Sequence, residues 1–304
     1  MAARAKGKTV SIIGIGRVGG ALAIALDRAG YLVKHLVSRD LAKGRTLAKI
    51  LSSTPQVAGI EALNVLADAD VVFITVSDGE IAGVAKKLAK LSRDRAAASA
   101  AGFVFHPSGS QGSEVLSPLA EKGFSTGSIH PLFSISDSVT GAEKLSSAYF
   151  CVEGSEKASA MAKKIVRDLG GKAFGLQTSA KPLYHAAAVM ACGHLTALFS
   201  LALEMMKSAG VDERSAQKIL VPLAESTLEN LGSQPPEKAL TGTFARADAE
   251  TFEKHLQVIK ANCSADVLDV YLKLGEVSLG LAEKNGVDKA QLKKMRRMII
   301  KAQN

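Results

Sequence analysis

The 304-residue chain reads as an α/β protein in which a Rossmann-like, doubly wound and mostly parallel sheet over residues 1–178 is followed by an all-α domain over residues 179–304. Three observations predict this. The first half alternates short β-rich runs with alanine-rich helical stretches, as a parallel sheet with crossover helices requires. The second half keeps a helical period with few strand signals. A G-x-G-x-x-G stands between the first strand and the first helix, where a dinucleotide fold needs it. The length fits two domains at roughly 100–200 residues each. A hydrophobic share of 47% supplies a core and excludes intrinsic disorder.

Taken in order, strands are expected over residues 9–14, 32–37, 71–76, 102–106, 125–130, 148–152 and 173–176, with helices at 19–29, 81–91 and 155–169. Ser77 and Glu80 have capping-box spacing at the head of the second of these helices. Pro182 suits a first helical turn, and the helix it opens should run to about Ser208, where Gly210 stops it. Further helices are expected at 212–231, 247–259, 265–285 and from Lys289 to the end, with a loop over 232–236 marked by its Gly and paired Pro. The stretch from Ala186 to Leu203 is long and apolar enough to be considered as a membrane span. Its alanines, with His194, Thr196 and Ser200, predict instead a helix buried on most sides between domains or subunits.

The formal charge is +9, and its location decides its meaning. Arg4, Lys6 and Lys8 at the start, and Lys289, Lys293, Lys294, Arg296, Arg297 and Lys301 at the end, account for the whole excess. The body from Thr9 to Asp288 is neutral, which argues against a nucleic-acid-binding surface and leaves two basic tails with solubility as their default role. Cys151, Cys192 and Cys263 lack metal-ligand spacing and fit thiols kept reduced in a cytoplasm. The start, MAARAKGKTV, has no apolar core of a signal peptide. No metal site, nucleic acid or membrane partner is expected.

In the glycine loop Gly14 permits the tight turn, Gly16 lets the backbone approach a pyrophosphate, and Gly19 allows close helix–strand packing. Arg17 and Val18 open the helix whose N-terminus stabilises the phosphate charge. An NAD site expects an acidic residue about 20 positions on, to bind the ribose 2′-hydroxyl. Ser38 and Arg39 stand there instead, a hydroxyl and a forked donor suited to a 2′-phosphate. The cofactor expected is therefore NADP(H) rather than NAD, the alternative being that Asp40 serves the ribose one position late. Val76 and Ser77, at the carboxyl end of another strand, belong to the same edge, since ligands lie beyond the strand ends in open α/β sheets.

Two histidines follow strands at that edge, His106 in Phe105-His-Pro-Ser-Gly109 and His130 in Ile129-His-Pro-Leu132. Imidazole suits proton transfer near neutrality, which hydride transfer to a carbonyl or imine needs. Each could equally do no more than hydrogen-bond its own loop. Further on, Lys181, His185, Cys192 and Thr196 share one helix face at 100° per residue, while His194 points elsewhere. The catalytic candidates are thus His130, His185, His106 and Lys181. Arg246 could anchor a substrate carboxylate, although Asp248 as a helix N-cap beside a solvated Arg246 accounts for that segment better.

Together Gly14-Ile-Gly-Arg-Val-Gly19, Val37-Ser-Arg39, Phe105-His-Pro-Ser-Gly109, His130-Pro-Leu132, Pro182-Leu-Tyr-His-Ala-Ala186 and Ala239-Leu-Thr-Gly242 resemble the bacterial family that joins a Rossmann-like domain to a DUF2520 domain. That family is similar to pyrroline-5-carboxylate reductases, ketopantoate reductases and 6-phosphogluconate-type dehydrogenases. The resemblance implies an NADP-binding N-terminal domain, a helical C-terminal domain that builds a homodimer, an active site in the cleft between them, and no particular substrate. His130-Pro-Leu also looks like the His-Pro-Met of prephenate dehydrogenases, which would make His130 the acid/base. Cys192-Gly193 stands where the family has Ser-Asn, and Thr243 and Ala247 replace its Pro and Gly. The function expected is an NADP(H)-dependent oxidoreductase of a small, carboxylated metabolite. Its alternatives are a non-catalytic NADP-binding regulatory or scaffold protein, and a protein that engages polyanions through its basic tails.

Overall fold

A computed structural model describes residues 7–61, 69–91 and 102–303. Of the N-terminal basic residues, Arg4 and Lys6 lie outside the described residues. The chain forms two compact units, Met1–Cys192 and Gly193–Asn304.

In the first unit β1 (Thr9–Ile13), α1 (Arg17–Arg28), β2 (Leu32–Val37), α2 (Leu41–Ala48) and β3 (Gln56–Ala58) build one half of the sheet. The other half is β4 (Val71–Ile74), α3 (Asp78–Leu91), β5 (Phe103–His106), α4 (Ser117–Ala120), β6 (Ser125–Leu132), α5 (Ser138–Lys144), β7 (Tyr149–Gly154), α6 (Glu156–Asp168) and β8 (Lys172–Gly175). The strand order is β3-β2-β1-β4-β5-β6-β7-β8, with every pair parallel except β6 and β7. Valines, isoleucines and phenylalanines fill β1, β4 and β5 because both faces of the sheet are covered. Val10, Ile12 and Phe73 pack with α1 and α6 on one side, and Ile13, Val72 and Ile74 with α3 on the other. The chain reverses between β1 and β4, where ligands bind in such sheets.

In the first unit α2, α4, α5 and the edge strand β3 were not expected from the sequence. They run only 8, 4, 7 and 3 residues, too short for a clear period. Asp40 caps α2 by accepting from the Lys43 N–H at 3.0 Å, and Asp137 caps α5 by accepting from Val139 and Thr140 at 2.9 Å.

The helix expected from Lys181 to Ser208 is two helices. α7 (Lys181–Ala191) stops at Cys192, whose φ of −121° and ψ of −70° leave the helical region, and α8 (Gly193–Ser208) begins the second unit. Glycine in place of a helix former favours the interruption. This breaks the continuous face on which Lys181, His185, Cys192 and Thr196 were aligned. The segment is also not buried within the chain: Leu183 and Met190 are 78% and 65% exposed, and α8 buries no residue. By length and composition Thr178–Ser208 could cross a membrane. However, Lys181 is locked into the sheet, and α8 alone, at 16 residues, falls short of the roughly 20 that a span needs.

The second unit continues with α9 (Glu213–Ser233), α10 (Pro236–Ala239), α11 (Gly242–Ala245), α12 (Ala249–Asn262), α13 (Ala265–Lys284) and α14 (Lys289–Gln303). The loop expected over 232–236 is shorter, because α9 extends to Ser233 and Pro236 opens α10. The C-terminal basic stretch is not a tail. As α14 it buries Leu292, Met295 and Ile299 against Phe252, Leu272 and Leu279, with its charges on the outer face. Ala247, where the resembling family has glycine, has a φ of 50°, a left-handed conformation that costs an L-residue roughly 1–2 kcal/mol. Its methyl is buried in the same core, which offsets part of that cost.

Candidate active site

The glycine loop closes through hydrogen bonds that its sequence permits. Gly14 has a φ of +94°, donates its N–H to the Val37 carbonyl at 2.8 Å, and lies so close to β4 that a Cβ would come within 2.8 Å of the Thr75 carbonyl. Thr75 donates its hydroxyl to the carbonyls of Ile13 and Gly14, tying the loop to the end of β4. A Cβ on Gly19 would overlap the Gly14 carbonyl oxygen, which fixes α1 tightly against the loop. Gly16 differs: a Cβ there would meet nothing within 4 Å, and as N-cap of α1 it offers no side chain to the first-turn N–H groups. N–H groups at a helix N-terminus that no side chain among the described residues caps, behind a residue open to the cleft, are suited to an anion.

That loop bounds a cleft of about 370 Å³, whose lining includes Gly14, Gly16, Ser38, Arg39, Val76 and Ser77. Three sequence candidates are not in the lining. Arg17 is exposed at the first position of α1, Val18 packs against the core, and Gly19 faces Gly14. Lys43 and Thr75 line the cleft and were not singled out, and Glu80, read in the sequence only as the capping-box partner of Ser77, lines it too. Asp40, besides capping α2, donates its own N–H to the Ser38 hydroxyl at 3.1 Å.

A polar network stands at the same edge of the sheet. Asp78, next to Ser77, accepts from the hydroxyls of Ser108 at 2.7 Å and Ser110 at 3.1 Å, joining the loops after β4 and β5. His106 is fully buried, accepting at Nδ1 from the Ser108 N–H at 3.2 Å and donating from Nε2 to the Gly112 carbonyl at 3.1 Å. Both ring nitrogens therefore shape the loop that holds Gly109. Lys181 is also fully buried, its ammonium donating to the Ser108 carbonyl at 3.0 Å and to the Ser128 hydroxyl. Burial lowers the Lys181 pKa, and the charge of Glu153 partly restores it.

His130 stands two residues beyond Ser128. Its Nδ1 is 2.7 Å from the Tyr184 hydroxyl, and its ring meets those of Tyr184 and His185 edge-on at 5.6 and 5.9 Å. Burial, then the charge of Lys181, then His185, push its pKa down to about 4, so the ring is neutral at pH 7. Burial raises the Tyr184 pKa, keeping the phenol protonated. That hydroxyl has no other hydrogen-bond partner among the described residues, and the direction of its bond to Nδ1 follows the tautomer of the ring. Gly109 makes the room: a Cβ there would overlap the His185 ring and lie 2.8 Å from His130 Nε2. The structure thus brings together His130, His185, Lys181 and His106, the last two beneath the surface. It adds Tyr184, whose signal in the sequence was its place between Lys181 and His185. Arg246 is exposed, and Asp248 caps α12 by accepting from the Thr251 N–H at 3.0 Å.

Residues 2–131 match the Rossmann-like domain family, and residues 148–277 match DUF2520, a domain of unknown function. The chain joins a Rossmann-like domain to a DUF2520 domain. A search of the curated proteins found no match. Among solved structures, this Rossmann-like and DUF2520 chain is similar to protein TM1727 from Thermotoga maritima, at 24% identity and a TM-score of 0.69, covering 91% of this chain and 99% of that one. A Bacteroides fragilis protein, BF3122, provisionally named an NADP oxidoreductase, has 21% identity and a TM-score of 0.66 over 91% and 98% of the two chains. Plasmodium falciparum pyrroline carboxylate reductase with NADP bound has 11% identity and a TM-score of 0.57 over 91% and 99%. At these identities the likeness establishes the fold.

Proposed function

We propose that the protein is an NADP(H)-dependent oxidoreductase that reduces or forms a carbonyl or imine bond in a small, carboxylated metabolite. The observation that carries this reading is a neutral histidine on β6, hydrogen-bonded at Nδ1 to Tyr184 and packed beside Gly109, whose loop Asp78 holds next to Ser77 of the glycine-loop cleft. Gly16 and the first-turn N–H groups of α1 would hold the pyrophosphate, and Ser38 and Arg39 the 2′-phosphate. The use of Asp40 as a helix cap supports a phosphate-binding rather than an acidic ribose contact. NADP-bound and NADP-named structural relatives point the same way. When bound, the dinucleotide supplies or accepts hydride at its nicotinamide ring.

His130 has the catalytic role in this reading. Its Nε2–H donates a hydrogen bond to the reacting oxygen or nitrogen and stabilises the negative charge that develops there as hydride arrives. A pKa near 4 rules out a standing imidazolium, so the ring acts as a neutral donor, with Tyr184 supporting Nδ1. His185 packs against it and borders the space beside Gly109. His106 and Lys181 act from below as positioning residues. Arg246, the one anchor suggested for the substrate carboxylate, is exposed in the second unit and is given no role. A homodimer completes the proposal. α8 and α9 expose Leu195, Leu198, Ile219, Leu223, Leu228 and Leu231, an apolar surface suited to a second copy.

The test is NADPH oxidation over a panel of 2-oxo acids, cyclic imino acids and aldehydes. Turnover is expected for the wild type, with a loss of at least about a hundredfold in kcat for His130→Gln and unchanged NADPH binding. Tight NADPH binding with no turnover across the panel would favour the non-catalytic alternative.

A further inference from the structure

The outer wall of the dinucleotide cleft is made by two opposite charges. Arg39, just after β2, donates from Nη1 to Oε1 of Glu80 on the first turn of α3 at 3.2 Å, and both residues line the cleft. The other carboxylate oxygen of Glu80 accepts from the Ser77 hydroxyl at 2.6 Å, so the carboxylate is held in place rather than loose in solvent. With side-chain exposures of 80% for Arg39 and 43% for Glu80, the pair adds little to the stability of the fold. Its placement matters because it engages the same guanidinium that the proposed function assigns to the 2′-phosphate.

Resting on that cofactor reading, we propose that Glu80 is a built-in competitor for the 2′-phosphate and a determinant of cofactor selectivity. In the free protein its carboxylate takes the place of the phosphate on Arg39. Binding of a 2′-phosphorylated dinucleotide requires Arg39 to exchange one anion for another, leaving Glu80 close to the incoming negative charge. A ribose without the phosphate meets no such repulsion, and Glu80 can accept from its hydroxyls. Arg39 alone would favour the phosphorylated cofactor, and Glu80 narrows the preference. The carboxylate is ionised throughout the neutral range, because the Ser77 hydrogen bond and then the charge of Arg39 hold its pKa below the usual value.

The experiment is calorimetric titration of the full chain with NADPH, NADH, 2′,5′-ADP and 5′-AMP, comparing wild type, Glu80→Gln, Arg39→Ala and the double variant. Glu80→Gln should tighten NADPH and 2′,5′-ADP by roughly tenfold, about 1.4 kcal/mol, without tightening NADH or 5′-AMP. In the Arg39→Ala background the same substitution should yield less than half of that gain in free energy, because there is no guanidinium left to compete for. An unchanged NADPH-to-NADH ratio in Glu80→Gln, or an equal gain in both backgrounds, overturns the competition. Wild-type protein that binds none of the four ligands overturns the cofactor reading itself. A thermal melt of Glu80→Gln matching that of the wild type excludes misfolding as the cause of any change.

Discussion

Two alanine substitutions in the glycine loop separate its structural from its ligand-binding role. A methyl at Gly19 would overlap the carbonyl oxygen of Gly14 and the hydroxyl of Thr75, so α1 must shift away from β1 and β4. Overpacking of this kind costs about 1–3 kcal/mol. For a unit of this size a loss of about 2 kcal/mol lowers the Tm by roughly 4–8 °C. Gly16 has φ −65° and ψ −165°, extended backbone open to any residue, and nothing lies within 4 Å of its would-be Cβ. Gly16→Ala should therefore lose no more than about 1 kcal/mol, the difference between glycine and alanine at an N-cap. Its methyl, however, projects into the place a pyrophosphate would take and holds the anion off the first-turn N–H groups. Losing one or two charge-assisted hydrogen bonds at about 1.5 kcal/mol each weakens NADPH roughly 10- to 100-fold. Differential scanning fluorimetry and NADPH fluorescence titration read the two effects. NADPH affinity within twofold of wild type in Gly16→Ala would refute the phosphate cradle, and full stability of Gly19→Ala would refute the close approach of helix and loop.

Stability should fall as the pH drops from about 6.5 to about 4, because His106 and His130 have pKa values lowered to about 4 and the unfolded chain takes up protons first. Each contributes up to about 3 kcal/mol over that window, and urea melts of His106→Gln should show a shallower pH dependence than wild type. Lys181→Met should raise the His130 pKa above 4 while leaving it below 6.5, since burial persists after the cation is gone; NMR titration of the imidazole measures it. Leu223→Glu, placed on an exposed apolar position of α9, should dissociate the proposed dimer in sedimentation velocity at micromolar concentration, with the helical circular dichroism unchanged.

The glycine-loop half of the candidate site was legible because its code is local. A strand, a glycine spacing and a helix start lie within a dozen residues, and the geometry found at Gly14 and Gly19 follows from their having no side chain. The strand-end rule likewise brought His106 and His130 to one edge. What local pattern could not separate was their use. His106 spends both nitrogens on its own loop, whereas His130 keeps one, because Tyr184 approaches it from a helix 54 residues away. In the sequence alone Lys181 reads as a residue facing substrate. Its depth beneath the site comes from Ser108 and Ser128, on two different strand–loop segments.

By itself the sequence determined the order of the seven longer strands, the glycine loop and the neutrality of the chain's body, since periodicity, glycine conformation and charge are properties of neighbours along the chain. Only the tertiary structure decided that the long apolar helix is interrupted at Cys192, that the basic C-terminus is a core helix, that Glu80 faces Arg39, and that Tyr184 meets His130 at Nδ1. Those outcomes depend on which distant groups meet, and on the burial that fixes their charge when they do.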